Sequence, residues 1–262
     1  MRSSSCPGMT FPHLSACSHL VHGVFPRKGG VSLPPFDSLN VGFSTGDDPA
    51  AVIENRHRIL SWLQMPRAVF LNQVHGKEVL VLAGDEKIDA DLFWEPGHPA
   101  TGKALTADAV VTDLTQLALV IQVADCQAVM LADPEKKVIA NVHSGWRGSV
   151  KNIIGQCVDV MIERFGCDPK QILAGISPSL GPCCAQFIHY QKEIPERLWQ
   201  YKSQDRPYFD FWALSFDQLT ARGVTPSHIL NMNQCTRCRA DTFFSYRKTR
   251  QTGRFACAIG LI

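Results

Sequence analysis

The sequence predicts one α+β domain in which helices cover a strand-rich core. Short apolar runs crowd residues 67–142, whereas helical periodicity appears on either side of that region. Hydrophobic residues make up 45% of the 262 residues and charged residues 19%, a balance that allows a full core to be buried. We therefore expect a single domain over residues 1–262, with residues 1–15 disordered.

The first long element follows an extended loop. Glycines and prolines interrupt residues 26–49 too often for long regular structure, and a loop of this length in a compact domain is commonly functional. Asp47, Asp48 and Pro49 then give the cap and first-turn signals of a helix. We predict that helix over Ala50–Gln64.

From Arg67 to Val142 the pattern changes to short runs of β-branched and apolar residues. Several of these runs are apolar on both faces, which indicates buried strands in antiparallel or mixed sheets. The predicted strands cover residues 68–76, 78–84, 108–113, 117–125, 128–133 and 137–143.

A second long helix follows the strands. Ser149 is predicted to cap it, and apolar residues repeat with helical spacing from Val150 to Phe165. The later elements are a strand, two helices and a short strand before a final irregular segment, at residues 172–177, 192–201, 215–221 and 229.

Charge and hydropathy exclude several classes of partner. The formal net charge of +2 and the absence of long basic runs argue against nucleic acid, and no apolar stretch approaches the roughly 20 residues of a membrane span. The N-terminus lacks the apolar core of a signal peptide, so we expect a cytoplasmic protein with reduced cysteines. In that setting, clusters of Cys and His predict metal binding or catalysis.

Three such side chains stand where predicted strands end. His75, Cys126 and His143 can therefore converge on one point, and a thiolate with two imidazoles makes a three-ligand zinc set that leaves a fourth position for water or substrate. Taken singly, a cysteine after an apolar run is more often a buried small hydrophobe, and a histidine there is more often simply hydrogen-bonded.

Two neighbours of these residues favour a functional site. Asp125 is suited to orienting a ligand or acting as a general acid or base, and Arg147 precedes a predicted helix start, where an anion is favoured. A surface salt bridge is an equally good interpretation of Arg147. Trp146 is compatible with core packing or with stacking against a ligand.

The remaining cysteines admit a second metal site. Cys235 and Cys238 form a C-x-x-C motif that, with the adjacent Cys183 and Cys184, offers four thiolates to a structural zinc ion. Adjacent cysteines are poor partners for joint ligation, so we expect these four to be buried or to lie near the active-site entrance. The other five are expected to be packing residues, at positions 6, 17, 157, 167 and 257.

Four runs in order resemble the YfiH family, also called the polyphenol oxidase or laccase-domain family. They are NQVHG, ADCQAVMLAD with VIANVHSGWRG, PSLGPCC, and CTRCRADTFFSYRKTRQTGR, and the resemblance extends over nearly the whole chain. It implies a mixed β-sandwich flanked by helices, related to the deamidase toxins. It also implies that His75, Cys126 and His143 bind zinc.

The resemblance further implies a purine nucleoside enzyme. The implied reactions are phosphorolysis of adenosine, inosine, guanosine and methylthioadenosine, together with hydrolytic deamination of adenosine. Arginine grips phosphate with two donors at once, so Arg147 and Arg56 are the first candidates for phosphate binding, followed by Arg247 and Arg254.

Polar residues nearby are candidates for contacts with the nucleoside. Asp108 or Asp125 could donate a proton to the purine, and Asn40, Asn72 and Gln73 could hydrogen-bond the sugar or base. Local turn capping is an alternative explanation for the two asparagines. The expected partners are purine nucleosides and phosphate, and the expected state is a monomer or a weak homo-oligomer.

Two other functions stay open. The same three ligands suit a copper ion, but the nine histidines include no His-x-His pair, which disfavours a multi-copper polyphenol oxidase. Alternatively, Cys126 as nucleophile and His143 as base would make a cysteine hydrolase acting on amide bonds, for example in peptidoglycan precursors.

Overall fold

The computed structural model describes residues 8–86, 89–96 and 105–262. Within them the strands β1–β10 are Leu20–Phe25, Arg67–Phe70, Val79–Leu82, Ala109–Thr112, Leu117–Val123, Gln127–Asp133, Val138–Ser144, Leu173–Ile176, Ile229–Asn231 and Phe255–Leu261. The helices α1–α6 are Pro12–Ser15, Pro49–Leu63, Trp146–Val150, Ile153–Phe165, Tyr190–Glu193 and Phe211–Thr220. Short 3-10 helices cover Phe43–Thr45, Ala90–Leu92, Glu196–Tyr201 and Pro226–His228.

The strands form two mixed sheets. The four-stranded sheet has the order β1-β10-β5-β2, with β2 parallel to β5 and the other pairs antiparallel. The six-stranded sheet has the order β3-β4-β7-β6-β8-β9, in which β3 pairs with β4 and β8 with β9 in parallel. This architecture confirms the predicted mixed β-sandwich with flanking helices.

The main core lies between the two sheets. Alternate side chains of the strands, such as Leu119 and Ile121 of β5 and Met130 of β6, are fully buried in one apolar cluster there. Asn141 of β7 spans the gap, because its side-chain amide donates 2.9 Å hydrogen bonds to the carbonyl oxygens of Leu119 and Cys257. The opposite strand faces pack against helices, α4 on the larger sheet and α2 on the smaller.

The predicted helix 149–165 is in fact two helices. α3 begins directly after Gly145, so Ser149 lies inside it rather than at a cap. The chain then breaks at Asn152, which adopts φ +59° and caps α4 by accepting a hydrogen bond from the Gly155 N–H. The helical periodicity was therefore correct, but the start signal was assigned to the wrong residue.

Two further predictions need correction near the C-terminus. Pro195 divides the predicted helix 192–201, because it lacks an N–H donor and holds Ile194 in an extended conformation. The predicted helix 215–221 begins earlier, at Phe211, since the Asp210 carboxylate caps it through the N–H groups of Trp212 and Ala213.

The final segment is a central strand rather than irregular structure. β10 lies between β1 and β5 and is buried on both faces. Its side toward α2 carries only Ala256, Ala258 and Gly260, residues of low strand propensity, which explains why the sequence pattern did not indicate a strand. β1 was missed as well, and its Gly23 leaves room for the rings of Phe25 and Trp62.

The segment expected to be disordered is partly folded. Residues 1–7 lie outside the described residues, but 8–15 include α1, and Phe11 and Leu14 are buried against the main core. Of the predicted packing cysteines, Cys157, Cys167 and Cys257 are buried and Cys17 is partly buried, whereas Cys6 lies outside the described residues. None of the described helices is long and apolar enough to cross a membrane.

Candidate active site

A cavity of about 660 Å³ opens at one end of the sandwich. Its walls come from the loop after β2, the β5–β6 turn, the β7–α3 junction, the segment after β8 and the segment before β10. The loop after β2, the β5–β6 turn and the end of β7 place His75, Cys126 and His143 together on one wall. This volume lies in the range that accommodates a small organic ligand.

The three side chains form a compact cluster. One ligand atom of each lies within 4.8 Å of the other two, and the Cys126 sulfur is 3.8 Å from His75 Nε2. The rings of His75 and His143 meet edge to face with their centroids 4.9 Å apart. One thiol and two imidazoles at such separations are a donor set that could hold one metal ion.

Asp108 fixes the orientation of one of these histidines. Its buried carboxylate accepts a 2.7 Å hydrogen bond from His143 Nδ1, which leaves Nε2 of that ring as the coordinating nitrogen. The same carboxylate accepts from the backbone N–H groups of Val74, His75 and Gly76, at 3.3, 2.9 and 2.6 Å. Asp108 therefore ties the His75 loop to β7 and is not itself part of the cavity wall.

The backbone around the cluster is tightly constrained. His75 and Asp125 both adopt positive φ, +59° and +90°, a conformation that non-glycine residues rarely occupy and that often marks functional sites. Gly145 passes so close that a Cβ there would lie 2.7 Å from His75 Cδ2 and 3.0 Å from the Cys126 sulfur. Only glycine fits at that point of the β7–α3 junction.

Cys126 and His143 shift each other's protonation. Burial works to raise the pKa of Cys126, but the charge of His143 and hydrogen bonds from both histidines outweigh it and lower the pKa to about 6. Burial likewise works to lower the pKa of His143, yet the Cys126 thiolate and Asp108 raise it to about 9. The pair therefore favours thiolate and imidazolium over thiol and imidazole.

Asp125, next to Cys126, acts as an anchor for two distant loops. Its carboxylate accepts 2.6 Å hydrogen bonds from the hydroxyls of Thr236 and Ser245 and from the N–H of Arg247, and its carbonyl accepts from the Leu180 N–H. Three donors therefore converge on one carboxylate. Asp125 thus holds the cavity wall in place while lining it.

Three arginines face the cavity. Arg147 lies over the Trp146 ring at 4.4 Å, Arg247 is exposed, and Arg254 is partly buried with its guanidinium held by the carbonyl oxygens of Thr252 and Gly253. Burial lowers the pKa of Arg254, and the nearby Cys126 and Asp125 oppose that shift. An arginine stays protonated in proteins, so this wall is cationic.

The amides predicted at the site lie on the same side of the cavity. Gln73 exchanges two 2.9 Å hydrogen bonds with the backbone of Gln122, which joins the His75 loop to β5. Asn72 is exposed in the cavity mouth, and its amide donates to the Thr106 hydroxyl. Both residues line the cavity next to the cluster.

The structure does not bring Asn40 and Arg56 into the described cavity wall. Asn40 is fully buried and uses its side chain to hold the 40–47 turn and the Arg254 N–H. Arg56 packs against the rings of Phe43 and Phe70, donates to the Val41 carbonyl, and its burial lowers its pKa to about 9. Both residues lie behind the wall and support it.

Sequence reasoning missed the apolar and aromatic part of the wall. Phe187, Phe211 and Tyr246 face the cavity, and Phe187 contacts the Trp146 ring with centroids 5.9 Å apart. These residues come from separate segments without periodicity, so no sequence signal connects them to the histidines. The GWRG motif was the nearest hint, because it places Trp146 beside the cluster.

The chain is similar to characterised and solved proteins over almost its full length. A family model described as multi-copper polyphenol oxidoreductase laccase matches residues 21–262. Purine nucleoside phosphorylase ORF3 of Streptomyces griseus is 37% identical over 236 residues, covering 88% of this chain and 89% of that protein. Purine nucleoside phosphorylase YfiH of Escherichia coli (strain K12) is 33% identical over 246 residues, covering 90% and 91%. The crystal structure of YlmD from Geobacillus stearothermophilus matches with a TM-score of 0.81 at 30% identity, covering 94% and 93%.

Proposed function

The chain belongs to the family described as multi-copper polyphenol oxidoreductase laccase, which confirms the YfiH resemblance, and we propose that it is a zinc-dependent purine nucleoside phosphorylase. The single observation that carries this proposal is the cluster of His75, Cys126 and His143 inside a cavity of about 660 Å³ that also presents three arginines. The names of the curated relatives supply the reaction class.

The donor set fits a zinc ion. Three protein ligands, with the fourth position left for water or substrate, are typical of catalytic zinc, imidazole and thiolate are both zinc ligands, and Asp108 supplies the carboxylate that orients a histidine ligand. Zinc bound there would provide a Lewis acid in the cavity. Three ligands at one point provide for one ion, so they do not make the cavity a multi-copper centre.

The arginines would bind the phosphate that attacks the sugar. In phosphorolysis a phosphate oxygen bonds to the anomeric carbon as the bond from that carbon to the purine nitrogen breaks, through an oxocarbenium-like state, and the departing nitrogen takes up the proton that phosphate loses. Arg147, Arg247 and Arg254 line the cavity, and their guanidinium groups would hold phosphate against the sugar, which would remove much of the entropic barrier.

The aromatic wall would hold the purine. Trp146 and Phe187 provide flat apolar surfaces beside the cluster, and Asn72 offers a polar group at the mouth. Of the two carboxylates that the sequence suggests as proton donors, Asp108 is covered by His143 and backbone donors, and Asp125 accepts three hydrogen bonds. We therefore assign both carboxylates positioning roles.

Product analysis tests this proposal. Purified metal-loaded protein is incubated with inosine, with and without phosphate, and the products are separated beside those of Cys126→Ala. We expect hypoxanthine and ribose 1-phosphate only when phosphate is present, and neither from the variant. Failure of the wild type to consume any purine nucleoside would exclude the proposal.

The same assay addresses the finer assignments. Adenosine, guanosine and methylthioadenosine, each with phosphate, report on the range of purine leaving groups. Adenosine without phosphate reports on deamination, which would release inosine rather than adenine. We propose both activities from the resemblance, with phosphorolysis as the main reaction.

One observation favours a second candidate function. Cys126, His143 and Asp108 also form a nucleophile, base and orienting carboxylate in series, the arrangement of a cysteine hydrolase. Removal of the metal ion distinguishes the cysteine hydrolase from the phosphorylase. A cysteine hydrolase would retain amide-bond hydrolysis in the metal-free protein and lose it on alkylation of Cys126, whereas the phosphorylase would lose its activity with the metal.

A further inference from the structure

Four cysteines meet outside the cavity. The sulfur atoms of Cys183, Cys184, Cys235 and Cys238 all lie within 4.8 Å of one another, although the two pairs are about fifty positions apart in the chain. Adjacent cysteines were expected to be poor partners for joint ligation, but the sulfurs of Cys183 and Cys184 point to the same place here. Their separation is 3.7 Å.

The distances match tetrahedral thiolate coordination. Zinc–sulfur bonds of about 2.3 Å at tetrahedral angles place the sulfurs about 3.8 Å apart. The Cys183 and Cys238 sulfurs are 3.7 Å apart and those of Cys184 and Cys238 are 3.5 Å apart. All of these separations are far longer than the roughly 2.05 Å of a disulfide bond.

Donors surround the sulfurs as they do in thiolate metal sites. The backbone N–H groups of Cys238 and Gly181 donate to the Cys235 sulfur, and Arg237 Nη1 lies 3.5 Å from the Cys184 sulfur. Four thiolates around a divalent ion leave two net negative charges. Amide donors and a guanidinium reduce the cost of that charge, as outer-shell partners do at other metal centres.

The cluster joins the loop after β8, whose Ser179 and Leu180 line the cavity, to the 235–238 loop behind that wall. Ser179 pairs with Cys235 in a β-bridge, and Thr236, beside Cys235, donates to Asp125 in that wall. A metal ion at the four sulfurs would hold these loops together without contacting the substrate.

We propose that Cys183, Cys184, Cys235 and Cys238 form a second, structural metal site that binds a divalent ion such as zinc through four thiolates. Each thiol gives up its proton to solvent as it binds, so binding tightens as the pH rises. This site goes beyond the proposed phosphorylase activity and does not depend on it.

Metal content tests this proposal directly. Protein purified under reducing conditions is analysed by inductively coupled plasma mass spectrometry as wild type, Cys126→Ser, Cys238→Ser and the double variant. We expect about two ions per chain in the wild type, about one in each single variant and close to none in the double variant. Cys17→Ser, which alters a partly buried cysteine outside both clusters, is the matched control and should keep about two.

Cobalt absorption of the Cys126→Ser protein tests the proposal even if Cys238→Ser does not fold. The Cys126→Ser protein retains all four cluster cysteines, and cobalt bound to it should give the intense near-ultraviolet charge-transfer absorption and strong visible bands of a tetrahedral thiolate site. Absence of cobalt binding to that variant would overturn the proposal. So would a disulfide between any of the four cysteines in the purified protein, or a metal content that Cys238→Ser leaves unchanged.

Discussion

The first cluster takes Cys126 and His143 from strand ends and His75 from the loop after β2, whereas the second takes Cys183, Cys184, Cys235 and Cys238 from two loops without regular structure. The first cluster has its own carboxylate, Asp108, and opens into a cavity. The second has the exposed Arg237 beside it, and two of its four cysteines, Cys183 and Cys238, are exposed. One arrangement leaves a coordination position for chemistry, while the other supplies thiolates on every side and suits a structural ion.

Charged neighbours, rather than burial, distinguish Cys126 from Cys257 in the core. Burial raises the pKa of Cys257 to about 12, and Cys257 lies on β10 in the middle of the sandwich. The same effect at Cys126 is outweighed by two histidines, so its pKa falls to about 6. Reactive cysteines thus arise where charged neighbours accompany desolvation.

Removal of the thiolate should have the largest effect. Cys126→Ala deletes one of three metal ligands, and we expect phosphorolysis of inosine to fall by more than about 100-fold, beyond what loss of an outer-shell partner costs. Initial rates at saturating phosphate measure the change. Cys17→Ala is the control and should turn over as the wild type does. A Cys126→Ala enzyme within a few-fold of the wild type would show that the cluster is not catalytic.

Substitution of the orienting carboxylate, Asp108, should have the second largest effect. Asp108→Asn removes the charge that holds His143 and the His75 loop, and we expect a loss of roughly 10- to 100-fold in metal affinity or activity. Asp108→Ala should also lower the free energy of unfolding by about 3–5 kcal/mol, because it leaves buried donors unpaired. Competition with a chelator and urea denaturation measure the two effects. Unchanged metal affinity in Asp108→Asn would contradict the positioning role.

The close approach of Gly145 offers a steric test. In Gly145→Ala the new methyl group would press on His75 and Cys126, so we expect weaker metal binding together with a destabilisation of about 1–3 kcal/mol. Gly84→Ala is the matched control, because a Cβ there meets nothing nearer than 3.5 Å. Equal metal affinities in Gly145→Ala and Gly84→Ala would mean that pressure on His75 and Cys126 does not weaken metal binding.

The smallest expected effect is a shift in titration. In metal-free protein, the rate of Cys126 alkylation should follow the thiolate, with a midpoint near pH 6 in place of the ordinary 9.0. The stabilising contribution of Cys126 is full above its ordinary pKa and is lost as the pH falls through about 6, while that of His143 is lost as the pH rises through about 9. His143→Ala should move the alkylation midpoint upward. An unshifted midpoint in the wild type would show that the two groups do not interact.

Some features of the candidate active site and the helix α2 could be predicted from the sequence, because the signals for them are local. Predicted strand ends brought Cys126 and His143 together and the family resemblance added its support to all three ligands, but the predicted strand 68–76 is wrong beyond Phe70, because His75 lies in the loop after β2 at φ +59°. The cap residues of α2 are local sequence signals, so the predicted helix agrees with the observed one within one residue at each end.

The parts that sequence did not predict depend on contacts between distant segments. Asn40 and Arg56 look like site residues in isolation, but buried hydrogen bonds and ring contacts place them behind the cavity wall. The sequence offered the four cysteines as one possible site, but the bridge between Ser179 and Cys235 that brings their two loops together follows from no spacing rule. β10 was not predicted, because small residues on one of its faces do not give the sequence pattern of a strand, although β10 is central to its sheet.

The most direct test of the catalytic claim is a zinc titration of the metal-free protein, followed by the rate of phosphate-dependent hypoxanthine release from inosine. We predict that the metal-free enzyme is inactive, and that its rate rises with zinc to a plateau in the wild type but stays at baseline in His143→Ala. A metal-free wild type that releases hypoxanthine at the full rate, or a His143→Ala enzyme that reaches the same plateau, would contradict the assignment of the His75–Cys126–His143 cluster as the catalytic metal centre.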